Sequence, residues 1–176
     1  SRCYGCSFNG RSTTRKSHRR HRLQCEVEAM SSRDSKHSLR PFHLAFPVDD
    51  LPAARKFYTQ VLGCSTGREK EESCVFNFYG HQIVAHRVSK MPQLSTNPVD
   101  GKRVPAMHFG IVLEWNDWQS LRERLESMSI DFALGPYIRY EDQPGSQATM
   151  FVKDPCGNHL EFKSFKDESG IFDTKW

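Results

Sequence analysis

The chain has 176 residues, 37% of them hydrophobic, and a mean hydropathy of −0.66: enough for one ordinary domain, with a polar surplus that leaves part of the chain outside any core. The net charge of +4 averages two unlike parts, residues 1–40 with ten Lys/Arg against three Asp/Glu (a balance of +7) and residues 41–176 with fifteen against eighteen (a balance of −3). A mildly acidic body argues against nucleic-acid binding, and no apolar run approaches the roughly 18 residues of a membrane span. The six cysteines, Cys3, Cys6, Cys25, Cys64, Cys74 and Cys156, are too dispersed for a small disulfide scaffold and predict reduced thiols in an intracellular or organellar compartment.

Residues 1–40 are rich in Ser and Arg, poor in acids and nearly free of large apolar residues, so they cannot bury enough surface to fold alone. The composition predicts a transit peptide, chloroplast first and mitochondrion second, in a chain that begins at Ser1 with its true start expected upstream. Two sharper readings of the segment are weaker. The Cys3-x2-Cys6 and His21-x3-Cys25 spacing is that of a zinc knuckle but lacks apolar support, and the basic run at residues 15–22 is equally ordinary in transit peptides.

From Pro41 to Val48 the residues alternate, Phe42, Leu44, Phe46 and Val48 on one face and His43, Ala45 and Pro47 on the other, which predicts a strand with one imidazole among small residues. Asp49-Asp50 offers an N-cap, Pro52 suits a first helical turn, and Leu51, Ala54, Phe57 or Tyr58, and Val61 or Leu62 recur at helical spacing up to Gly63. Residues 68–72 read as a charged turn, residues 74–79 and 82–88 as strands around Gly80, and residues 89–105 as a long connection.

The pattern then recurs. Met107 to Leu113 alternates with His108 on the less apolar face, and Asn116 or Asp117 can cap a helix with the stripe Trp118, Leu121, Leu125 and Met128. An outer strand over 130–140, a lid-like loop over 141–146, a strand over Gln147 to Lys153 and a last strand over 157–163 follow. His43 aligns with His108 and Gly80 with Gly157, which sets Val84 opposite Glu161 and His86 opposite Lys163. The body is an internal repeat of a strand, a helix and three strands, with modules at about 41–88 and 106–165 and a polar tail at 166–176 in which Phe172 and Trp176 could dock back.

His43 and His108 occupy one position in two copies, and Glu161 ends the second copy on the face opposite its apolar residues. Two neutral imidazoles and one carboxylate, with coordination positions left open, suit a divalent ion and Fe(II) in particular. His86 and Lys163, on the same faces, can donate to a substrate oxygen or act in proton transfer. Cys156 reads as a small turn residue, and Trp115 and Trp118 as helix packing.

On the segments FHLAFPVDDL, FYTQVLG, HFGIVL and DPCGNHLEF, residues 41–165 resemble the vicinal oxygen chelate superfamily, which includes glyoxalase I, extradiol ring-cleaving dioxygenases and fosfomycin- and bleomycin-resistance proteins. The resemblance implies an α+β fold of two βαβββ modules whose sheet curls around a metal-binding cup, with the helices outside. It implies His43, His108 and Glu161 as metal ligands, Fe(II) first, with Mn, Zn or Ni as alternatives. Val84 stands where glyoxalase I has a further carboxylate, which implies a three-ligand site. The strand before Glu161 has Phe151 and no Tyr, unlike the extradiol enzymes, so His86, Tyr137 and Tyr140 are only stand-ins for their substrate-binding groups. The chain most resembles the predicted extradiol-dioxygenase-like group of that superfamily. That resemblance implies a dioxygenase acting on a small substrate with vicinal oxygens; a glyoxalase-type lyase or isomerase and a metal-free binding protein are the alternatives. A homodimer is one option for the assembly.

Overall fold

Strand β1 (His43–Val48) alternates as its sequence requires, burying Phe46 and Val48 and exposing His43 and Ala45. Phe42, expected on the buried face, lies just outside the strand and is exposed; its backbone N–H donates to His81 Nδ1. Asp50 caps helix α1 (Leu51–Lys56) through its Oδ1, which accepts from Ala53 N at 2.9 Å, and Pro52 sits in the first turn. The helix runs on as a π-helical turn (Phe57–Val61) and ends at Gly63, whose φ of +77° is left-handed.

The computed structural model describes residues 39–99, 101–143, 145–172 and 174. The transit-peptide and zinc-knuckle readings therefore lie outside the described residues, as does Trp176. Residues 41–176 form one compact unit. No helix among the described residues is long and apolar enough to cross a membrane.

Strands β2 (Ser65–Lys70), β3 (Ser73–Phe78) and β4 (His81–Arg87) complete the first sheet in the order β1-β4-β3-β2, with β1 and β4 parallel. Strand β2 corrects the expected charged turn. It is an exposed edge, and polar and charged residues such as Arg68, Glu69 and Lys70 are how an edge strand avoids pairing with other chains. A second correction concerns the connection, where Thr96–Val99 (β5) and Lys102–Pro105 (β6) form a hairpin despite their prolines.

The second module repeats the first: β7 (Phe109–Val112), α2 (Trp115–Ser127), β8 (Phe132–Arg139), β9 (Gln147–Lys153) and β10 (His159–Phe165), in the order β7-β10-β9-β8. Helix α2 starts at Trp115 without a side-chain cap, one or two residues before the expected cap. Trp118, Leu121 and Leu125 are buried, and Met128 is exposed. After β10 a short 3-10 turn (Glu168–Phe172) leaves Phe172 exposed rather than docked.

This is the α+β fold of two βαβββ modules that the repeat implied, with two four-stranded sheets that do not close into one. A shared apolar core joins the modules. Phe46 meets Phe109 at 5.1 Å between ring centroids, and Phe78 meets Phe162 at 6.0 Å. Such contacts contribute about 0.5–1.5 kcal/mol each beyond their area. Arg124 of α2 donates from Nε to Val61 O at 2.8 Å, satisfying a carbonyl at the end of the first helix. Cys64, Cys74 and Cys156 are free and buried, and burial pushes the Cys64 thiol up to about 12, away from reactivity.

A polar hub also ties the modules together. Asp154, 2% exposed, accepts from Tyr58 OH at 3.1 Å, Cys156 N at 2.9 Å, and Asn158 N and Nδ2 at 2.8 and 2.9 Å. Burial, and then the neighbouring Asp154 carboxylate, hold the Tyr58 phenol well above its usual range. A folded-state pKa raised above the unfolded value means stability that is full below about pH 10 and lost as pH rises further. Tyr58→Phe is expected to cost about 1–2 kcal/mol at neutral pH. It is also expected to flatten the alkaline decline by about one proton. Urea titrations between neutral and alkaline pH check both; an unchanged alkaline slope would show that Tyr58 ionises alike in the folded and unfolded states.

Candidate metal centre

Strand β10 sets the geometry. Leu160 and Phe162 are fully buried, so His159, Glu161 and Lys163 must face the other way. Gly157, at φ +90°, closes the preceding turn, and Asn158 Nδ2 donates to Pro47 O at 2.9 Å, pinning the start of β10 to the first module. The ladder then places Gly110 and Phe151 beside Glu161, and Thr149 beside Lys163.

Glu161 lies at the centre of a small polar cluster. Its Oε2 is 3.3 Å from His108 Nε2, and its Oε1 accepts from Thr149 Oγ1 at 2.9 Å and lies 3.6 Å from Lys163 Nζ. His108, one residue before β7, has Nδ1 at 3.0 Å from Pro105 O. The Pro105 carbonyl accepts a hydrogen bond from Nδ1–H, which in the neutral ring puts the lone pair on Nε2, the arrangement common among metal-binding histidines. The ring packs edge-on against Phe151 at 5.2 Å between centroids. Two lone-pair donors 3.3 Å apart match two ligands of one cation, since bonds of about 2.0–2.1 Å at a tetrahedral angle separate their donor atoms by about 3.3 Å. The donor set therefore fits a divalent ion as far as it goes.

His43 occupies the equivalent place in the first sheet. Ala45 pairs with Val84 as Gly110 pairs with Glu161, so both ladders carry the alignment read from the sequence. His43 Nδ1 lies 2.7 Å from Gln82 Oε1, which again directs the proton to Nδ1 and leaves Nε2 as a donor atom for a metal. Among the described residues, however, no three His, Cys, Asp or Glu side chains gather closely enough to hold a metal, so His43 does not join His108 and Glu161 within the chain. The His43 face is open, with Ala45, Gln82, Asn77 and His86 exposed. Beside Glu161, Thr149 and Phe151 are each 1% exposed, while Gly110 and Val112 on its other side are open.

The remaining candidates divide between the two sheets. Lys163 contacts Glu161. Tyr137 lies in the same cross-strand row, abreast of Thr149 and Lys163. His86 pairs with Pro47 and Ser73 on the open sheet, away from that row. The sequence reading missed Thr149 and the Gln82 contact. Its one available signal for Thr149 was a hydroxyl residue in the middle of a strand otherwise rich in apolar residues. His159 lines a cavity beside His108; burial lowers its affinity for a proton, against the opposing pull of the Gly157 carbonyl 3.1 Å from Nδ1.

The family model described as the Glyoxalase/Bleomycin resistance protein/Dioxygenase superfamily matches residues 40–162. The chain belongs to that superfamily. Among solved structures, a glyoxalase/bleomycin resistance protein/dioxygenase from Alicyclobacillus acidocaldarius is 29% identical, with a TM-score of 0.66 over 78% of this chain and 99% of that one. A fosfomycin resistance protein, FosX, from Listeria monocytogenes is 12% identical at a TM-score of 0.54, covering 76% of this chain and 97% of that one. A lactoylglutathione lyase from Agrobacterium tumefaciens is 16% identical at 0.51, covering 74% and 96%. The last two show a shared fold. No curated protein sequence matches the chain significantly.

In this superfamily member the repeat is thus a structural fact, and the two half-sites are unlike. One carries His108, Glu161, Thr149 and Lys163 in contact with one another; the other carries His43 and Gln82, with no carboxylate beside them among the described residues.

Proposed function

We propose that the chain is a divalent-metal enzyme of the vicinal oxygen chelate type, Fe(II) first and Mn, Zn or Ni as alternatives, acting on a small substrate with two neighbouring oxygens. The observation that carries the reading is the 3.3 Å approach of His108 Nε2 to Glu161 Oε2, with the Pro105 carbonyl behind one donor and Thr149 behind the other. We propose further that His43 is the third ligand and comes from a second copy of the chain. The open face around His43 and its free Nε2 support that assembly, because the Glu161 half-site lacks one imidazole and the His43 half-site lacks its carboxylate.

A bound divalent ion would supply Lewis acidity toward the substrate's oxygens. The chain's own residues would do the rest. Thr149 holds Glu161 in place, and Lys163 puts a positive charge beside it where a substrate oxyanion can be met. Tyr137, in the same row, is placed to contact the substrate farther along. The reaction assigned first is dioxygenase-type oxidation of a catechol-like diol; the second is a glyoxalase-type lyase or isomerase.

Protein purified without oxygen and reloaded is expected to retain about one divalent ion per site. The Fe(II) form is expected to consume oxygen when given catechols. Oxygen uptake absent with every diol, but turnover of a hemithioacetal, would move the assignment to the lyase. No stoichiometric metal under any loading would leave a binding protein without metal chemistry.

A further inference from the structure

A cavity of about 330 Å³ is walled by β1, by the residues leading into β7, by the turn before β10 and by the connection between the modules. That volume lies at the small end of ligand sites, which run from about 300 to 1,000 Å³. Its hydrocarbon walls include Phe46, Phe109, Met91 and Leu94. Its polar edge is formed by His108 and His159, each with Nδ1 against a backbone carbonyl, at 3.0 Å from Pro105 O and 3.1 Å from Gly157 O. The His159 Nε2 is thereby left as a hydrogen-bond acceptor, while the His108 Nε2 is turned to Glu161 Oε2 at 3.3 Å. Among the described residues, no Lys, Arg, Asp or Glu lines it.

The cavity differs from the polar face around Glu161 in its walls: Phe46 and Phe109 belong to the core-facing sides of their strands, and Met91 and Leu94 to the connection. It touches the metal centre through His108 alone among the proposed ligands. A carboxylate or phosphonate placed there would be desolvated with no cation to meet it. An aromatic or branched alkyl body would lose nothing and would be covered by the connection.

We propose that this cavity seats the uncharged hydrocarbon body of the substrate, an aromatic ring or a branched alkyl group, with a hydroxyl turned toward His159 and the oxygen pair reaching the His108–Glu161 side. That the occupant is the substrate rests on the metal-centre reading; that the cavity takes a hydrocarbon body does not. The substrate class is then a hydrophobic diol or hydroxyketone rather than a carboxylated or phosphorylated one.

Two measurements on the full chain separate these statements. In the first, chelator-treated protein is titrated calorimetrically with phenol and with 4-tert-butylphenol, which has one oxygen and cannot chelate. Burial of the butyl carbons, at about fourfold per carbon, predicts at least tenfold tighter binding of the butyl compound. Leu94→Glu, half-buried in the connection, is expected to erase that gain while leaving the far-ultraviolet circular dichroism unchanged, and Leu94→Met is expected to keep it. Equal binding of the two phenols, or a gain that survives Leu94→Glu, overturns the proposal. In the second, metal-loaded protein is compared with 4-tert-butylcatechol and 3,4-dihydroxybenzoate, and the butyl compound is expected to bind at least tenfold tighter. A preference for the carboxylate also overturns it. Failure to retain metal, with the first measurement as expected, sinks the metal-centre reading and leaves the hydrocarbon seat supported.

Discussion

Glu161→Gln is expected to abolish metal retention. Altering a residue that merely orients a ligand costs about 10- to 100-fold in metal affinity, so loss of the proposed anionic ligand is expected to cost more than about 100-fold. Thr149→Val, which removes only the hydroxyl 2.9 Å from Glu161 Oε1, is expected to fall within that 10- to 100-fold range. Metal content after gel filtration, with melting curves to show that each variant is folded, measures both. His43→Ala should lose metal as completely as Glu161→Gln if its imidazole completes the centre from another copy.

The two defective chains then test the assembly. Mixed and allowed to exchange, His43→Ala and Glu161→Gln chains form hybrid pairs in which one site has both mutations and the other has neither. Under a two-fold arrangement with random exchange, about one quarter of all sites recover. Recovery of metal and activity toward that level supports a centre shared between copies. Full metal retention by His43→Ala would show that His108 and Glu161 draw their third ligand from elsewhere.

Gly110→Ala is expected to do more structural damage than the same change at Gly67 or Gly135. A Cβ built at Gly110 would lie 1.6 Å from the Glu161 carbonyl oxygen, a contact with backbone that no rotamer change can relieve. The strand would have to leave its parallel partner. A cost of about 4 kcal/mol or more is expected, enough to unfold a marginally stable domain. The repeat supplies its own control: Ala45 occupies the same place against Val84 and carries its Cβ without difficulty, so Ala45→Gly should cost only about 0.5–1 kcal/mol. Denaturant midpoints measure the contrast. Comparable stability of Gly110→Ala and the parent would mean that β7 can move away from β10. Any folded fraction of Gly110→Ala should also hold metal poorly, because the same displacement separates His108 from Glu161.

Much of this centre was legible before any coordinates. Period-two alternation assigns each strand residue to a face, so His43, Ala45 and Pro47, and likewise His159, Glu161 and Lys163, could be set apart from the apolar residues between them. Asp50 and Gly63 marked the first helix because an N-cap and a left-handed terminus impose local chemical demands. Other elements were not legible for equally local reasons. Strand β2 is so polar that its residues read as a turn, and the β5–β6 hairpin contains prolines that a central strand would refuse.

By itself the sequence determined the repeat and the faces of its strands, with His108 and Glu161 set apart from the apolar residues. Only the tertiary structure decided that these two meet at 3.3 Å while His43 does not join them, and that Thr149 and Lys163 flank the carboxylate. The physical reason is that alternation reports which side of a sheet a residue occupies and nothing about what lies across from it. The β7–β10 pairing within one sheet sets the His108–Glu161 distance, whereas the separation of His43 is set by how the two sheets dock, through nonlocal contacts such as Phe46 on Phe109 and Phe78 on Phe162, whose partners lie 63 and 84 positions apart in the chain.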